Sequence, residues 1–195
     1  MRNKEERKEL FRSLIGGICT EEFIDRLDKE GYFEAPAGMK HHGTYEGALF
    51  EHSYEVGRQL QELTIKLNLK WQRPEAPFVI GLLHDLCKVK QYKKIEEKET
   101  VAITFDGMEI EHVTGYHYEW NEKQDIPGHG AASIFRLVEW GGPALNQDEL
   151  YCIRYHLGAY AGKEEWSYLD AGIRICPNII YAHTADMIAA KIVGV

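Results

Sequence analysis

The chain has 195 residues, of which 44% are hydrophobic, and this is enough for one compact domain with a full core. Its formal net charge is −8, and an acidic surface repels polyanions, so we expect neither a long nucleic-acid footprint nor docking to a membrane surface. The sequence has no run of about 18 apolar residues that would predict a membrane-spanning helix.

The cysteines and the N-terminus both favour a cytoplasmic location. Four cysteines stand at positions 19, 87, 152 and 176 without a Cys-x-x-Cys pair, so neither a disulfide framework nor a cysteine zinc site is indicated. Buried thiols in a reducing cytoplasm are the simpler interpretation. Residues 1–10 are rich in Lys, Arg and Glu and contain no apolar segment, so no signal peptide is expected.

Apolar residues recur at three- and four-residue steps along most of the chain, and this spacing predicts an all-α helical bundle. The predicted helices cover residues 4–15, 20–31, 44–69, 77–87 and 131–140, with further helices beginning at Asn146 and Pro177. A looser, partly helical connection is predicted over residues 159–174. The segment 77–87 is almost wholly apolar, so we expect it to be the central helix.

Residues 91–128 break the helical period. Two segments, Val101–Phe105 and Val113–Trp120, have the composition of strands and are joined across Asp106-Gly107. We therefore predict a small β-hairpin, at about residues 100–120, inserted into the helical bundle. The Lys- and Glu-rich run 93–98 is predicted to be a solvated turn.

Histidines and aspartates fall on the apolar side of several predicted helices or at their ends. These candidates are His52, His84, Asp85, His129, His156 and Asp186. A buried carboxylate without a partner is costly, so Asp85 and Asp186 each need one, and a shared cation would serve both. Imidazole nitrogen and carboxylate oxygen together suit Zn, Mn, Fe or Ni.

The order His, His-Asp, His, His, Asp resembles that of the HD-domain metal-dependent phosphohydrolases. Residues 41–52, HHGTYEGALFEH, are similar to the "HH…GG-L-L-E-H" segment of bacterial 3′–5′ exoribonucleases and of related phage or prophage HD hydrolases. Residues 82–88, LLHDLCK, are similar to their "LLHDIGK", and residues 183–189 to their "H-x-AD" ending. The resemblance implies one HD domain over 1–195, with an HD core at 39–190 after an N-terminal helical extension at 1–38.

The same resemblance implies a site. A first metal ion would be held by His52, His84, Asp85 and Asp186. Asp85 would bridge to a second ion, completed by His129 and His156. Lys88 would contact a substrate phosphate and act in catalysis with Asp85, while His42 and His41 would line the phosphate pocket. The cofactor would be one or two divalent ions of Mn, Fe, Ni, Co or Zn, with Mg as a further candidate.

These features predict hydrolysis of a phosphoester or phosphodiester in a nucleotide or short oligonucleotide. A mononuclear nucleotidase that uses only the first ion, and a sensor module that binds metal and nucleotide without turnover, remain open. For single residues, His129 can instead be a loop histidine and His156 a helix-end histidine. His183 is either a supporting partner of the site or a core residue. Tyr116, Tyr118 and Trp120 fit cross-strand packing better than a base-stacking wall. A homodimer is also left open.

Overall fold

The computed structural model of the protein describes residues 1–39, 43–103, 109–122 and 128–195, with the backbone alone at 100–103 and 109–110. Within these ranges the fold is a bundle of α-helices with one β-hairpin, which confirms the predicted fold class. The helices are α1 (Lys4–Ile15), α2 (Glu21–Glu30), α3 (Ala48–Leu67), α4 (Ala76–Leu83), α5 (His129–Glu139), α6 (Gln147–Tyr155), α7 (Trp166–Ile175) and α8 (Asn178–Ile188). None of these helices has the length and apolarity needed to cross a membrane.

Several helix ends follow directly from local sequence. The Thr20 side chain accepts a hydrogen bond from the backbone N–H of Phe23 and so caps α2, which ends at Gly31 in the left-handed conformation. Asn146 and Glu149 form a reciprocal capping box at the start of α6. The predicted start and end of α2 and the predicted start of α6 are therefore confirmed.

The long helix and the central helix differ from their predicted bounds. α3 begins at Ala48 rather than at Thr44, because Gly47 has φ +82° and cannot continue a right-handed helix. α4 ends at Leu83 rather than near Cys87, and a short 3₁₀ helix, Leu86–Lys90, follows it. The intervening Asp85 has φ −109° and ψ 22°, outside the α-helical region, and its carboxylate lies among partners from other helices. Those tertiary contacts outweigh the helical preference of the sequence here.

The hairpin is present and is longer than predicted. Its strands are β1 (Tyr92–Ile103) and β2 (Glu109–Trp120), antiparallel, with Tyr92 opposite Trp120 at the root. The prediction of a solvated turn at 93–98 was wrong, because backbone pairing with β2 holds this charged run in β1 despite its low strand propensity. The predicted turn at Asp106-Gly107 lies outside the described residues.

The core is centred on α3 and α4. Buried side chains from α1, α2, α3, α4, α6 and α8 join one hydrophobic cluster, and α4 contributes apolar atoms on almost every side. Because α4 is enclosed in this way, the polar residues that follow it at 84 and 85 are carried into the centre of the bundle, where His84 and Asp85 are 1% and 2% exposed.

The N-terminal helix is attached to the bundle by a buried arginine. Arg7 donates through Nη1 to the carbonyl of Phe33 (2.9 Å), through Nη2 to the carbonyl of Glu46 (3.1 Å) and through Nε to the Glu51 carboxylate (3.4 Å). We call these four residues the Arg7 anchor. Each nitrogen of the guanidinium group has an acceptor, so the buried charge is fully compensated.

The division into an extension at 1–38 and a core at 39–190 stays a prediction.

Candidate metal centre

Donor side chains from five helices meet at the centre of the bundle. His52 lies within α3, His84 and Asp85 follow α4, and His129 is the first residue of α5. His156 follows α6, and Asp186 lies in α8. We call these six residues the His–Asp cluster. All six residues predicted as metal ligands are therefore brought together, from positions that span 135 residues of sequence, 52 to 186.

Two glycines permit the helix crossings that bring the donors together. A Cβ atom on Gly81 would fall 2.3 Å from the backbone nitrogen of Gly57, so α3 and α4 cross with their backbones in close contact. A Cβ atom on Gly130 would fall 2.2 Å from the carbonyl oxygen of Arg154, where α5 crosses α6. The first crossing sets His84 near His52, and the second sets His129 near His156, with ring centroids 5.5 Å and 5.2 Å apart.

Asp85 is the hub of the cluster. Its Oδ1 lies 2.6 Å from Nε2 of His129 and 3.6 Å from Nε2 of His156. Its Oδ2 lies 2.7 Å from Nζ of Lys88, 3.3 Å from Nε2 of His84 and 3.7 Å from Nε2 of His52. Both carboxylate oxygens thus face nitrogen atoms, which is the arrangement expected of a bridging carboxylate.

The second carboxylate joins the cluster from the opposite helix. Oδ1 of Asp186 lies 3.2 Å from Nε2 of His52. The donor atoms fall into three sets. Within each set all the atoms lie within 4.8 Å of one another, a spacing that one ion can span. The sets are His52, His84 and Asp85; His84, His156 and Asp186; and Asp85, His129 and His156.

Backbone carbonyls fix the tautomers of three histidines. Nδ1 of His84 lies 2.8 Å from the carbonyl oxygen of Gly81, and Nδ1 of His156 lies 2.8 Å from that of Ile153. Nδ1 of His52 lies 3.0 Å from the backbone oxygen of Val195. Since a carbonyl oxygen only accepts, Nδ1 carries the proton in each ring. In its neutral form each ring therefore turns an unprotonated Nε2 towards the cluster, as a metal ligand requires.

The fourth histidine has a different supporting partner. Nδ1 of His129 lies 3.3 Å from Sγ of Cys87, and burial raises the pKa of this thiol to about 12, so the sulfur is uncharged near neutral pH. When Nε2 of His129 binds a cation, Nδ1 must carry the proton, and the sulfur is then its acceptor. Sequence reasoning missed Cys87, although it stands at the position of the glycine in the similar segment LLHDIGK.

His183 supports the site through the backbone. Its Nδ1 lies 2.8 Å from the carbonyl oxygen of His156, and a Cβ atom on Gly158 would fall 2.8 Å from its ring. The ring therefore packs under the turn that carries His156. Of the two predicted roles, the contact favours support of the site over core packing alone.

The electrostatics of the cluster are dominated by burial and by Asp85. Burial raises the pKa of Asp85, but the nearby His84, Lys88 and His129 outweigh it and hold that pKa well below its ordinary value. Burial lowers the pKa of His84 and keeps this ring neutral. For His156 burial also lowers the pKa, but the carboxylate of Asp85 outweighs it, so the net shift is upward.

The predicted substrate-binding residues are only partly described. Burial lowers the pKa of Lys88, but Asp85 outweighs this effect, so the pKa is raised and the ammonium group stays charged. The Lys88 side chain is 20% exposed, so its charge lies beside the cluster and is accessible to a ligand. His41 and His42 lie outside the described residues.

The donor set fits a divalent cation. Nε2 of His84 is buried and has no hydrogen-bond partner among the described residues, and an unpaired buried nitrogen is costly. Two buried or nearly buried carboxylates, Asp85 and Asp186, also repel each other. Burial and, less strongly, the charge on Asp85 raise the pKa of Asp186, but His52 and His84 outweigh them and the net shift is downward. A cation among these atoms would complete the coordination of the imidazole and neutralise the carboxylates, and the mixture of nitrogen and oxygen donors suits Mn, Fe, Co, Ni or Zn.

Comparison with known families agrees with this geometry. The model of the HD domain matches residues 49–190, well over half of the chain, and this range contains the whole His–Asp cluster. No curated protein and no solved structure gives a significant match. The closer resemblance to exoribonucleases or phage hydrolases stays a prediction. The chain belongs to the HD domain family, whose members are in general metal-dependent hydrolases of phosphate compounds.

Proposed function

We propose that the protein hydrolyses a phosphoester or phosphodiester bond of a nucleotide or short oligonucleotide, with two divalent ions bound by the His–Asp cluster. The observation that carries this proposal is the convergence of four Nε2 atoms and two carboxylates at one buried point. Membership of the HD family supplies the reaction class. The acidic surface favours a small phosphorylated substrate over a long nucleic acid.

The proposed ligands fall into two groups that share Asp85. His52, His84, Asp85 and Asp186 would hold one ion, and Asp85, His129 and His156 would hold the other. The contact of His52 with Asp186 at 3.2 Å supports the first group, and the ring centroids of His129 and His156, 5.2 Å apart, support the second. His84 is near both groups, because its ring centroid lies 4.7 Å from that of His156.

When bound, such ions supply Lewis acidity and a water molecule of lowered pKa, which are the two requirements for hydrolysing a phosphate ester near neutral pH. The chain itself supplies positioning and charge. Lys88 keeps its positive charge next to Asp85 and can donate hydrogen bonds to the non-bridging oxygens of a phosphate, where negative charge develops. The carbonyls that hold Nδ1 of His52, His84 and His156 keep these rings oriented while the substrate changes.

A mononuclear site is the second candidate, and His129 favours it. The side chain of His129 is 20% exposed, whereas that of His156 is 2% exposed, and its Nε2 already pairs directly with Asp85. In this case His129 would hold the carboxylate in place and a single ion would bind to the first group.

The test combines metal counting with a substrate panel. The protein, prepared without chelators, is loaded with Mn, Fe, Co, Ni, Zn or Mg, and bound metal is measured by mass spectrometry. Phosphate or nucleotide release is then followed for nucleotides and for short oligonucleotides. We expect two ions per chain and turnover with at least one transition metal. Asp85→Asn should abolish both, while Asp170→Asn, an exposed aspartate on α7, should change neither.

Three outcomes would contradict parts of the proposal. One ion per chain, with its affinity unchanged in His129→Gln and His156→Gln, would leave the mononuclear site. Metal binding without turnover of any substrate would favour a sensor module. Failure to bind any of the six metals would overturn the proposal entirely.

A further inference from the structure

The root of the hairpin carries an aromatic surface. Tyr116, Tyr118 and Trp120 alternate along β2, and opposite them β1 places Tyr92 across from Trp120 and Lys94 across from Tyr118. Residues at two-residue steps, and residues directly opposite each other, lie on the same side of a sheet. These five side chains therefore share one side of the hairpin, which we call the aromatic face.

Contacts within the aromatic face hold its rings in fixed orientations. Tyr92 and Trp120 meet edge to face with centroids 5.9 Å apart, and Tyr116 and Tyr118 do so at 5.7 Å. Nζ of Lys94 lies 4.3 Å above the Tyr116 ring. Trp120 remains 37% exposed and Tyr116 44% exposed, so the cross-strand packing leaves large ring surfaces accessible to a ligand.

The aromatic face borders the His–Asp cluster. Tyr92 lies two residues after the end of the 3₁₀ helix that carries Lys88. Asn121, which follows Trp120, donates through its backbone N–H to the carbonyl oxygen of Gln91 (2.9 Å) and through Nδ2 to that of Lys90 (3.0 Å), so the root of the hairpin is held against the end of this helix. On the other side Nζ of Lys94 lies 3.7 Å from the carboxylate of Glu46, in the segment that leads into α3.

We propose that the aromatic face binds the base of the nucleotide substrate, by stacking on the exposed ring of Trp120 beside Tyr92, while the phosphate group lies at Lys88. This inference rests on the proposed function. It assigns the base to the hairpin, while the phosphate stays with the helical core. Stacking accepts any base, because every base has a π-face, and the exposed rings offer little hydrogen bonding to distinguish one base from another. The site would therefore require a base without selecting strongly among bases.

The inference separates a nucleotide from a sugar phosphate. The probes are adenosine 5′-monophosphate and ribose 5-phosphate, which differ only in the base, and their binding to the metal-loaded protein is measured by calorimetry. We expect Trp120→Ala to weaken binding of the nucleotide about tenfold or more, within the range measured for stacking on an aromatic side chain. Binding of ribose 5-phosphate should stay within about twofold, and Trp120→Phe should restore most of the nucleotide affinity.

Two controls address folding and location. Trp166→Ala removes an exposed tryptophan of α7, outside the aromatic face, and should leave both affinities unchanged. Tyr116→Ala removes the other exposed ring of the face and should weaken nucleotide binding less than Trp120→Ala, because Tyr116 is farther from the root. Circular dichroism of each variant shows whether the hairpin and bundle are intact.

The outcomes distinguish this inference from the proposed function. Equal loss of affinity for both probes, or no loss for either, would overturn the aromatic face as a base site and leave only cross-strand packing. Dissociation of a dimer by Trp120→Ala would assign the face to a second copy of the chain and would also overturn the inference. If the protein binds the nucleotide through Trp120 but turns over no substrate, the base site stands and the hydrolase proposal fails.

Discussion

The Arg7 anchor and the His–Asp cluster are both buried groups of charged side chains, and they differ in how completely their polar atoms are paired. In the Arg7 anchor, each guanidinium nitrogen has an oxygen acceptor at 2.9–3.4 Å. In the His–Asp cluster, Nε2 of His84 has no hydrogen-bond partner among the described residues, and two carboxylates converge on the same imidazoles. The first cluster is complete as it stands, whereas the second is complete only with a cation. Buried charge alone therefore does not identify a functional site; in the His–Asp cluster it is the combination of an unpaired imidazole nitrogen with two carboxylates that indicates a cation site.

The largest expected effect is a loss of activity when a carboxylate of the His–Asp cluster is neutralised. Asp186→Asn should lower kcat/KM of the metal-loaded enzyme about 1000-fold, because a metal ligand that contributes several kcal/mol to transition-state stabilisation is lost. The free energy of unfolding of the metal-free protein should change by less than about 1 kcal/mol, since repulsion from Asp85 is relieved as the contact with His52 is weakened.

Steady-state kinetics of the metal-loaded wild type and variant check the first value, and urea titration of the two metal-free proteins checks the second. A loss of stability in the metal-free variant as large as that of an anchor variant would show that the His–Asp cluster is structural.

The anchor should show the opposite behaviour. Arg7→Met leaves two carbonyl oxygens and the Glu51 carboxylate without their buried donor, so we expect a loss of about 3 kcal/mol in the free energy of unfolding. Metal affinity of the folded fraction should be largely unchanged, because the hydrogen bonds of Arg7 go to Phe33, Glu46 and Glu51 and not to a side chain of the His–Asp cluster. Urea denaturation followed by circular dichroism measures the first quantity, and calorimetric titration with Mn the second.

Arg58→Met is the matched control, since Arg58 pairs with Glu55 and Glu62 on the surface of α3, where such pairs contribute about 1 kcal/mol or less. If the two variants lose equal stability, the anchor has no special role.

Metal binding should stabilise the fold through the His–Asp cluster and not through the Arg7 anchor. A ligand that binds the native state alone adds about 2.7 kcal/mol at a free concentration 100 times its Kd. For a chain of this size the expected rise in Tm is roughly 5–10 °C. Differential scanning calorimetry with and without Mn, and after chelation, measures the shift.

The same metal should raise the Tm of Arg7→Met as much as that of the wild type, and it should raise that of Asp186→Asn far less. An equal shift in Asp186→Asn would place the bound ion outside the His–Asp cluster.

The smallest expected effect concerns Cys87. Cys87→Ala removes the acceptor for Nδ1 of His129, and loss of such a supporting contact typically costs 10–100-fold in metal affinity, with about tenfold expected here because sulfur is a weak acceptor. The weaker of the two ions should be affected and the tighter one should not. Cys87→Ser keeps an acceptor and should retain more affinity, which a competition titration can resolve.

Cys19→Ala is the control, since this half-buried cysteine belongs to the apolar cluster and not to the site. Equal effects of Cys87→Ala and Cys19→Ala would remove the supporting role of Cys87.

Local sequence predicted the helices well where the ends are encoded by short-range signals. Thr20, Gly31 and the Asn146–Glu149 box act through hydrogen bonds or backbone angles within a few residues, so their effects appear in the sequence itself. The errors occurred where distant contacts decide. The charged run 93–98 is a strand because β2 pairs with it, and α4 ends at Leu83 in a segment whose composition would continue a helix.

The candidate ligands could be predicted for a similar reason. A histidine or aspartate on an apolar helical stripe must be buried, and a buried carboxylate needs a partner. The position of Cys87 beside His129 could not be predicted, because it depends on how α5 crosses the segment after α4. The position of the proposed base site likewise depends on the path of the hairpin relative to the core.

The sequence by itself determined the helical class and the hairpin and indicated the six residues that form the His–Asp cluster, because periodicity, capping and the cost of buried charge act on each residue where it stands. Only the tertiary structure decided that these residues share one point and that four imidazoles present Nε2 to it. It also decided that, within the His–Asp cluster, Nε2 of His84 lacks a hydrogen-bond partner, whereas each guanidinium nitrogen of Arg7 has one. These properties depend on distances between residues far apart in the chain, which are set by how closely the helices cross at Gly81 and Gly130.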